Sequence, residues 1–188
     1  MPFSRNHCLL FITMGTTVRP AALEDAAAAC VVLRRTIQEC CQQDHQDDSA
    51  RLDAWLGNKT PATIGSWIAS PSNHMLVAVR DGALVGVALL TQSGKLPLCY
   101  VLPEFQHCGV GKALLDSVEA KARAWGIGAL SLKSTVGACD FFARNGYTDG
   151  GMEKTCYGLE CSLFWKKLNA APGADAAGGK RFCNCNAS

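Results

Sequence analysis

The segment Gln106-His107-Cys108-Gly109-Val110-Gly111-Lys112 constrains this chain more than any other. An apolar run, 96–102, precedes it, which predicts a strand. Glycines at the start of a helix let backbone N–H groups surround an anion, and the helix dipole and Lys112 add positive charge. The sequence therefore predicts a strand, a phosphate-binding loop and a helix. The helix is expected because one apolar stripe follows the loop at helical spacing: Val110, Leu114, Val118, Ala122 and Trp125.

Three kinds of phosphate-binding loop are distinguished by their spacing. A nucleoside triphosphate loop needs a glycine where Gln106 stands and a Ser or Thr where Ala113 follows the lysine. A dinucleotide-binding loop needs a third glycine where this chain has Leu114. Both patterns fail. The pattern that remains is Gln-x-x-Gly-x-Gly.

That pattern resembles the coenzyme A pyrophosphate loop of the GNAT N-acetyltransferase superfamily. Residues 98–104 are similar to the central strand of that family and the turn that leaves it. Residues 134–147, with Phe141-Phe142 and Gly146-Tyr147, are similar to its next strand and helix, and 18–26 to its first strand and helix. The resemblance covers about residues 17–168.

The resemblance implies an α/β (α+β) fold, with a mixed, mostly antiparallel central sheet and helices on both faces. It implies acetyl-CoA as the co-substrate and an N-acetyltransferase that acts by direct attack of a primary amine of a small molecule or protein. Homodimers are common in the family, so a homodimer is possible. The residues expected to bind acetyl-CoA are Val101, Leu102, Gln106, His107, Cys108, Gly109, Val110, Gly111, Lys112, Ala138, Phe141 and Phe142.

The reaction requires a base for the amine and a proton for the leaving thiolate. Glu104, at the end of the central strand, is the candidate base, and a solvated turn glutamate is the alternative. Tyr100 is a second catalytic candidate that could instead pack in the core. The family often has a tyrosine where this chain has Phe142, and phenylalanine has no proton to give. A domain that binds acyl-CoA without turnover is therefore an alternative function.

Acidic residues and a histidine between the first two predicted helices could attract a cationic amine. They could equally cap helices in a solvated connection. The candidates for substrate binding are Asp44, His45 and Asp47.

The composition fits one globular domain: 188 residues, of which 48% are hydrophobic and 18% charged. A formal net charge of +2 is too small to indicate nucleic-acid binding, and no apolar run reaches the length of a membrane span. We expect an N-terminal extension at 1–15, possibly disordered, a domain at 16–168 and a flexible Ala/Gly-rich tail at 169–188.

The chain has eleven cysteines, several of them in apolar patterns typical of buried free thiols. We expect reduced thiols, a cytoplasmic protein and no metal site. The pair Cys183 and Cys185 leaves a redox or metal-binding protein as a third possibility, although no second ligand pair accompanies it.

The remaining patterns predict the order of helices and strands. Asp81-Gly82 predicts a two-residue hairpin turn. We expect strands at 16–19, 74–80, 83–91, 96–102, 130–135 and 157–168, and helices at 22–42, 49–56, from 61, 110–125 and 137–145.

Overall fold

The computed structural model describes residues 15–154 and 159–168. The strands are β1 (Thr17–Pro20), β2 (Asn73–Arg80), β3 (Ala83–Thr91), β4 (Leu98–Val101), β5 (Ala129–Ser134), β6 (Thr148–Lys154) and β7 (Glu160–Lys167). The helices are α1 (Ala26–Cys40), α2 (Gln42–His45), α3 (Ser49–Leu56), α4 (Pro61–Ala69), α5 (Val110–Ala124) and α6 (Cys139–Arg144). Short 3₁₀ turns precede α1, follow β4 and precede α6.

The strands form two antiparallel sheets, with the orders β1-β2-β3-β4 and β5-β7-β6. A parallel bridge between Lys95 and Ser131 connects the two sheets. At this bridge the Leu96 N–H donates to the Ser131 carbonyl and the Ser131 N–H donates to the Gly94 carbonyl, each at 2.9 Å. Beyond the bridge, and among the strands of residues 15–154 and 159–168, β4 pairs only with β3 and β5 pairs only with β7.

Helices cover both faces of the four-stranded sheet because its strands alternate apolar side chains between the faces. Leu76, Ala88 and Leu90 pack on one face with residues of α5. Met75 and Val87 pack on the other face with residues of α1 and α4. Both sets are buried, so α5 lies on the opposite side of the sheet from α1 and α4.

The predicted fold class is confirmed: the sheets are antiparallel with one parallel bridge, and helices lie on both faces. The predicted helix 22–42 is shorter, because Cys41 leaves helical geometry between α1 and α2. The strand β6 was missed. Its sequence, Thr-Asp-Gly-Gly-Met-Glu-Lys, lacks apolar alternation because the whole strand is exposed at the edge of its sheet.

The ends of the chain lie outside the described residues. This applies to the expected extension 1–15, except for Gly15, to the tail 169–188 and to the pair Cys183 and Cys185. The domain boundaries therefore stay predictions. Within residues 15–154 and 159–168, no helix is both long enough and apolar enough to cross a membrane.

Candidate active site

The site is a cleft where β4 and β5 separate beyond the Lys95–Ser131 bridge. Each strand has one unpaired edge there, and the two edges face each other across the gap. Two cavities open into the gap, of about 820 Å³ and 760 Å³. The first adjoins α6 and the start of α5, and the second adjoins α3, α4 and β7.

The first cavity contains nine of the twelve residues predicted to bind acetyl-CoA. Neither Cys108 nor the fully buried Val110 lines this cavity with its side chain, and Leu102 does not line it either. The predicted residues that line it are Val101, Gln106, His107, Gly109, Gly111, Lys112, Ala138, Phe141 and Phe142.

The start of α5 presents unused backbone donors to this cavity. Gly109, with φ 84°, is the N-cap residue, and the first intrahelical bond joins the Ala113 N–H to its carbonyl at 3.0 Å. The N–H groups of Val110, Gly111 and Lys112 therefore have no acceptor within the helix. Lys112 adds an exposed ammonium group, which forms an ion pair with Asp116 one turn later. This arrangement favours an anionic ligand.

The edge of β4 decides which backbone groups are available to a ligand. The Leu102 N–H donates to the Val85 carbonyl, and its carbonyl accepts from the Phe105 N–H, both at 2.9 Å. The Leu102 N–H is therefore not available to a ligand, and the predicted contact of Leu102 with acetyl-CoA stays a prediction. Backbone groups alternate in direction along an antiparallel strand, so the N–H and C=O of Val101 point into the gap instead.

The Val101 carbonyl is held by two side chains. The Thr36 hydroxyl donates to it at 3.2 Å and the Gln106 amide donates to it at 3.3 Å. The same Gln106 nitrogen contacts the Cys40 sulfur at 3.2 Å. The Gln106 side chain therefore fastens the loop to β4 and to the end of α1, a role that the spacing of the motif alone did not indicate.

The Phe pair on α6 forms the opposite wall of the first cavity. Phe141 and Phe142 pack edge to face, with ring centroids 5.1 Å apart. Phe142 is buried and also packs against Tyr147 at 5.6 Å and Phe164 at 6.1 Å. A Cβ atom on Gly111 would lie 3.4 Å from the Phe141 ring, so α5 and α6 approach closely at this glycine.

The two cavities meet at β4 and the end of β5. Of the two predicted catalytic residues, Tyr100 lies at this junction. The residues that line both cavities lie in β4, at the end of β5 or directly beside these strands: Leu96, Pro97, Tyr100, Leu132, Lys133, Ser134 and Thr135.

Tyr100 keeps its hydroxyl proton at this junction. Burial, with the nearby Cys41 and Asp44, raises the pKa of Tyr100 above its usual range. Trp55 of α3 opposes this rise only weakly, so the hydroxyl stays protonated at neutral pH.

The predicted substrate-binding residues do not form one group. Asp44 is 8% exposed and lines the second cavity, whereas His45 is 2% exposed and lines neither cavity. Asp47 is exposed, and its N–H donates to Nδ1 of His45 at 3.2 Å. Asp44 and His45 are therefore buried, unlike the residues of a solvated connection.

Glu104, the other predicted catalytic residue, lies away from the junction. It lines neither cavity, and its carboxylate is ion-paired with Arg35 on α1 at 2.9 Å. The hydrogen bond from Arg35 lowers the pKa of this carboxyl, which makes it a weaker base. The structure thus gives Glu104 the position of an exposed turn residue rather than that of a general base.

No motif in the sequence indicated the residues that complete the second cavity. Trp55 on α3 and Trp67 on α4 line it, and their helical spacing indicated only buried faces. Thr36 and Cys40, at the end of α1, likewise line the first cavity without any motif. Among residues 15–154 and 159–168, no three His, Cys, Asp or Glu side chains are grouped to hold a metal ion.

Comparison with known proteins agrees with this geometry. Residues 41–162 match the family model described as an acetyltransferase (GNAT) domain. An IAA acetyltransferase from Azospirillum brasilense is 31% identical over 113 residues, which are 53% of this chain and 74% of that protein. An amino-acid acetyltransferase from Azotobacter vinelandii is 32% identical over 83 residues, 42% of this chain, but the match spans only 19% of its length.

The fold also matches a solved structure. The PaiA N-acetyltransferase of Thermoplasma acidophilum, in complex with coenzyme A, superimposes with a TM-score of 0.68 at 20% identity. The match covers 82% of this chain and 99% of that one. Residues 41–162 match the family model, and the structure has the cleft between β4 and β5. The chain therefore belongs to the GNAT acetyltransferases, enzymes that transfer an acetyl group from acetyl-CoA.

Proposed function

We propose that this acetyltransferase acetylates a primary amine of a small molecule or protein by direct attack on acetyl-CoA. The observation that carries the proposal is the junction of the two cavities at Tyr100, β4 and β5. Two substrates that enter from separate cavities can meet only there. The related amino-acid acetyltransferase is named for an amine-bearing substrate, but this chain spans 19% of its length.

The first cavity is the proposed site of acetyl-CoA. The free N–H groups at the start of α5 would bind the pyrophosphate, and Lys112 would add a counter-charge. The N–H of Val101, at the open edge of β4, would donate to a pantetheine amide as a neighbouring strand does. These contacts direct the thioester along β4 towards Tyr100.

The chemistry needs one bond formed and one broken. The acceptor ammonium loses a proton, its nitrogen attacks the thioester carbonyl carbon, the C–N bond forms and the C–S bond breaks. The thiolate takes up a proton and the acetylated nitrogen releases its second one, so the net products are an amide, coenzyme A and one proton. Tyr100 is the proposed proton donor, because it lines both cavities where the two substrates would meet and keeps its hydroxyl proton.

Direct attack is favoured over an acetylated enzyme because the cavity thiols are poor nucleophiles. Cys41 and Cys99 line the first cavity. Burial raises the pKa of each thiol to about 12, so both are protonated at neutral pH. A thiolate, and not a thiol, is the nucleophile in acyl transfer.

A second candidate function is a domain that binds acyl-CoA without turnover. Phe142 favours it, because a phenylalanine on this wall offers no hydroxyl to the leaving sulfur. Tyr100 at the junction favours turnover instead.

The first experiment is a thermal shift of the reduced protein with acetyl-CoA, coenzyme A and ATP in parallel. A ligand that binds only the folded state at a hundredfold excess over its Kd adds about 2.7 kcal/mol of stability. We expect stabilisation by the two coenzyme A species and not by ATP. Release of free thiol with a panel of amines then separates the two functions, since a non-catalytic domain binds without releasing thiol.

Three further expectations stay proposals: a cytoplasmic location, a homodimer and a domain spanning 16–168. Light scattering of the purified protein tests the dimer. Limited proteolysis followed by mass spectrometry tests the boundaries.

A further inference from the structure

Asp44 places a buried carboxylate beside the second cavity. Its Oδ1 accepts a hydrogen bond from the Val136 N–H at 2.9 Å. Its Oδ2 has no hydrogen-bond partner among the described residues, although the residue is only 8% exposed. Leaving one oxygen of a buried carboxylate unpaired is costly, so the negative charge needs an explanation beyond the single bond to Val136.

The position of Asp44 connects it to the reaction. Val136 directly follows Thr135, which lines both cavities. The charge of Asp44 also acts on Tyr100, whose pKa it helps to raise. The carboxylate therefore lies next to the junction, on the side of the second cavity.

The second cavity combines an apolar wall with charged residues, of which Asp44 and Lys59 are buried and Glu153 and Glu160 are exposed. Lys59 is 5% exposed, and its ammonium group donates to the Trp55 carbonyl at 3.3 Å and also bonds to Asn58. This resident cation disfavours a second positive charge on a ligand. The apolar wall consists of Trp55, Trp67, Leu89, Leu98 and Leu163.

We propose that Asp44 binds the ammonium group of the acceptor and accepts its proton, and that the acceptor is a primary monoamine with an apolar body. This inference rests on the proposed function. Oδ2 has almost no accessible surface, so the carboxylate would turn towards the cavity that Asp44 lines, where an ammonium N–H would donate to this unpaired oxygen. The proton would then pass to Oδ2, leaving the neutral amine to attack the thioester and the proton to leave for solvent afterwards.

The surroundings of Asp44 agree with a proton acceptor. Burial raises the pKa of this carboxyl above its usual range, which brings it closer to neutral pH. Four titratable groups act on Asp44 or feel its charge: His45 of α2, Cys41 just before α2, Tyr100 of β4 and Cys161 of β7. Burial keeps the thiols of Cys41 and Cys161 protonated by raising their pKa values.

The test compares Asp44→Asn with Asp53→Asn. Asparagine keeps an oxygen for the Val136 N–H, removes the charge and replaces the second oxygen with an NH2 donor. Asp53 lies on α3, is exposed and lines neither cavity, so it controls for loss of one negative charge. The probes are 2-phenylethylamine, its uncharged analogue 2-phenylethanol and the polyamine spermidine. Binding is measured by calorimetry on protein saturated with coenzyme A, and turnover by thiol release.

We expect the wild type and Asp53→Asn to bind and acetylate 2-phenylethylamine in preference to both other probes. Asp44→Asn should lower kcat/KM for this amine at least a hundredfold, with unchanged acetyl-CoA affinity. It should also remove the acidic limb of the pH profile.

The inference is overturned if Asp44→Asn stays within threefold of wild type, or if the wild type prefers spermidine or 2-phenylethanol. It is also overturned if the wild type neither binds nor acetylates 2-phenylethylamine. A different result would refute the proposed function: acetyl-CoA binds, but no thiol is released with any small-molecule or protein amine.

Discussion

Replacing Gly111 with glutamate should raise the stability of the ligand-free protein and abolish acetyl-CoA binding. Gly111 is the second residue of α5, where an acidic side chain interacts favourably with the helix dipole by about 0.3–1 kcal/mol. Removing a glycine from a helix adds about 0.5–1 kcal/mol. A Cβ there would lie 3.4 Å from Phe141, an ordinary van der Waals contact. The melting temperature of the free protein should therefore rise by about 2–4 °C per kcal/mol gained.

The affinity for acetyl-CoA should change in the opposite direction and fall. A carboxylate about 5 Å from one phosphate charge costs about 3 kcal/mol at an effective dielectric constant near 20. Since about 1.4 kcal/mol is a tenfold change, the Kd for acetyl-CoA should rise at least a hundredfold. Both effects arise from the same site, because the N–H groups that would bind phosphate in the wild type also interact with the new carboxylate.

Gly65→Glu is the matched control. Gly65 lies within α4, and a Cβ atom there would meet no atom within 4 Å. It lines neither cavity. Calorimetry with acetyl-CoA and thermal melting of the free protein are run on both variants. If Gly111→Glu binds acetyl-CoA within threefold of wild type, the start of α5 is not the pyrophosphate site.

Other predictions concern the junction, Asp44 and the sheet. Tyr100→Phe should lower kcat about 10²-fold or more and leave the affinity for acetyl-CoA unchanged. Tyr147 is buried outside both cavities, so Tyr147→Phe should not lower kcat in this way. Equal rates in the two variants would refute Tyr100 as the proton donor. Burial raises the pKa of Asp44 in the folded protein above its value in the unfolded chain. The free energy of unfolding therefore falls as the pH rises from the unfolded-state pKa to the folded-state pKa. Asp44→Asn should therefore melt above wild type at pH 7 and equal to it near pH 3; a lower melting temperature at pH 7 would contradict this. Gly86→Ala should cost about 1–3 kcal/mol in chemical denaturation, because its Cβ would lie 3.0 Å from Leu114; an unchanged midpoint would show that this contact relaxes.

Local patterns were read correctly where the interacting residues are neighbours in sequence. The Asp81-Gly82 turn joins β2 and β3, and both residues have positive φ, 51° and 77°, as the two-residue hairpin requires. The helix predicted at 110–125 is α5, Val110–Ala124, preceded by Gly109 at positive φ. In both cases the backbone conformation depends on glycine and on residues within one turn.

The sequence did not indicate contacts with distant segments. Glu104 was chosen as the candidate base for its position near the strand end, but Arg35 pairs with it from 69 residues away. The N–H of Leu102 is bonded to the carbonyl of Val85 on the neighbouring strand. The strand β6 has no apolar pattern because it is exposed, and pairing with β7 holds it in place.

The sequence by itself determined the family resemblance, the glycine-bearing loop before α5 and the helix that follows it. These depend on glycine positions and apolar periodicity, which act over a few residues. Only the tertiary structure decided that Asp44 is buried beside the second cavity. Asp44 and Val136 are 92 residues apart, and their hydrogen bond exists because the end of β5 folds against α2. Burial and charge at such a contact depend on what the rest of the chain places around it.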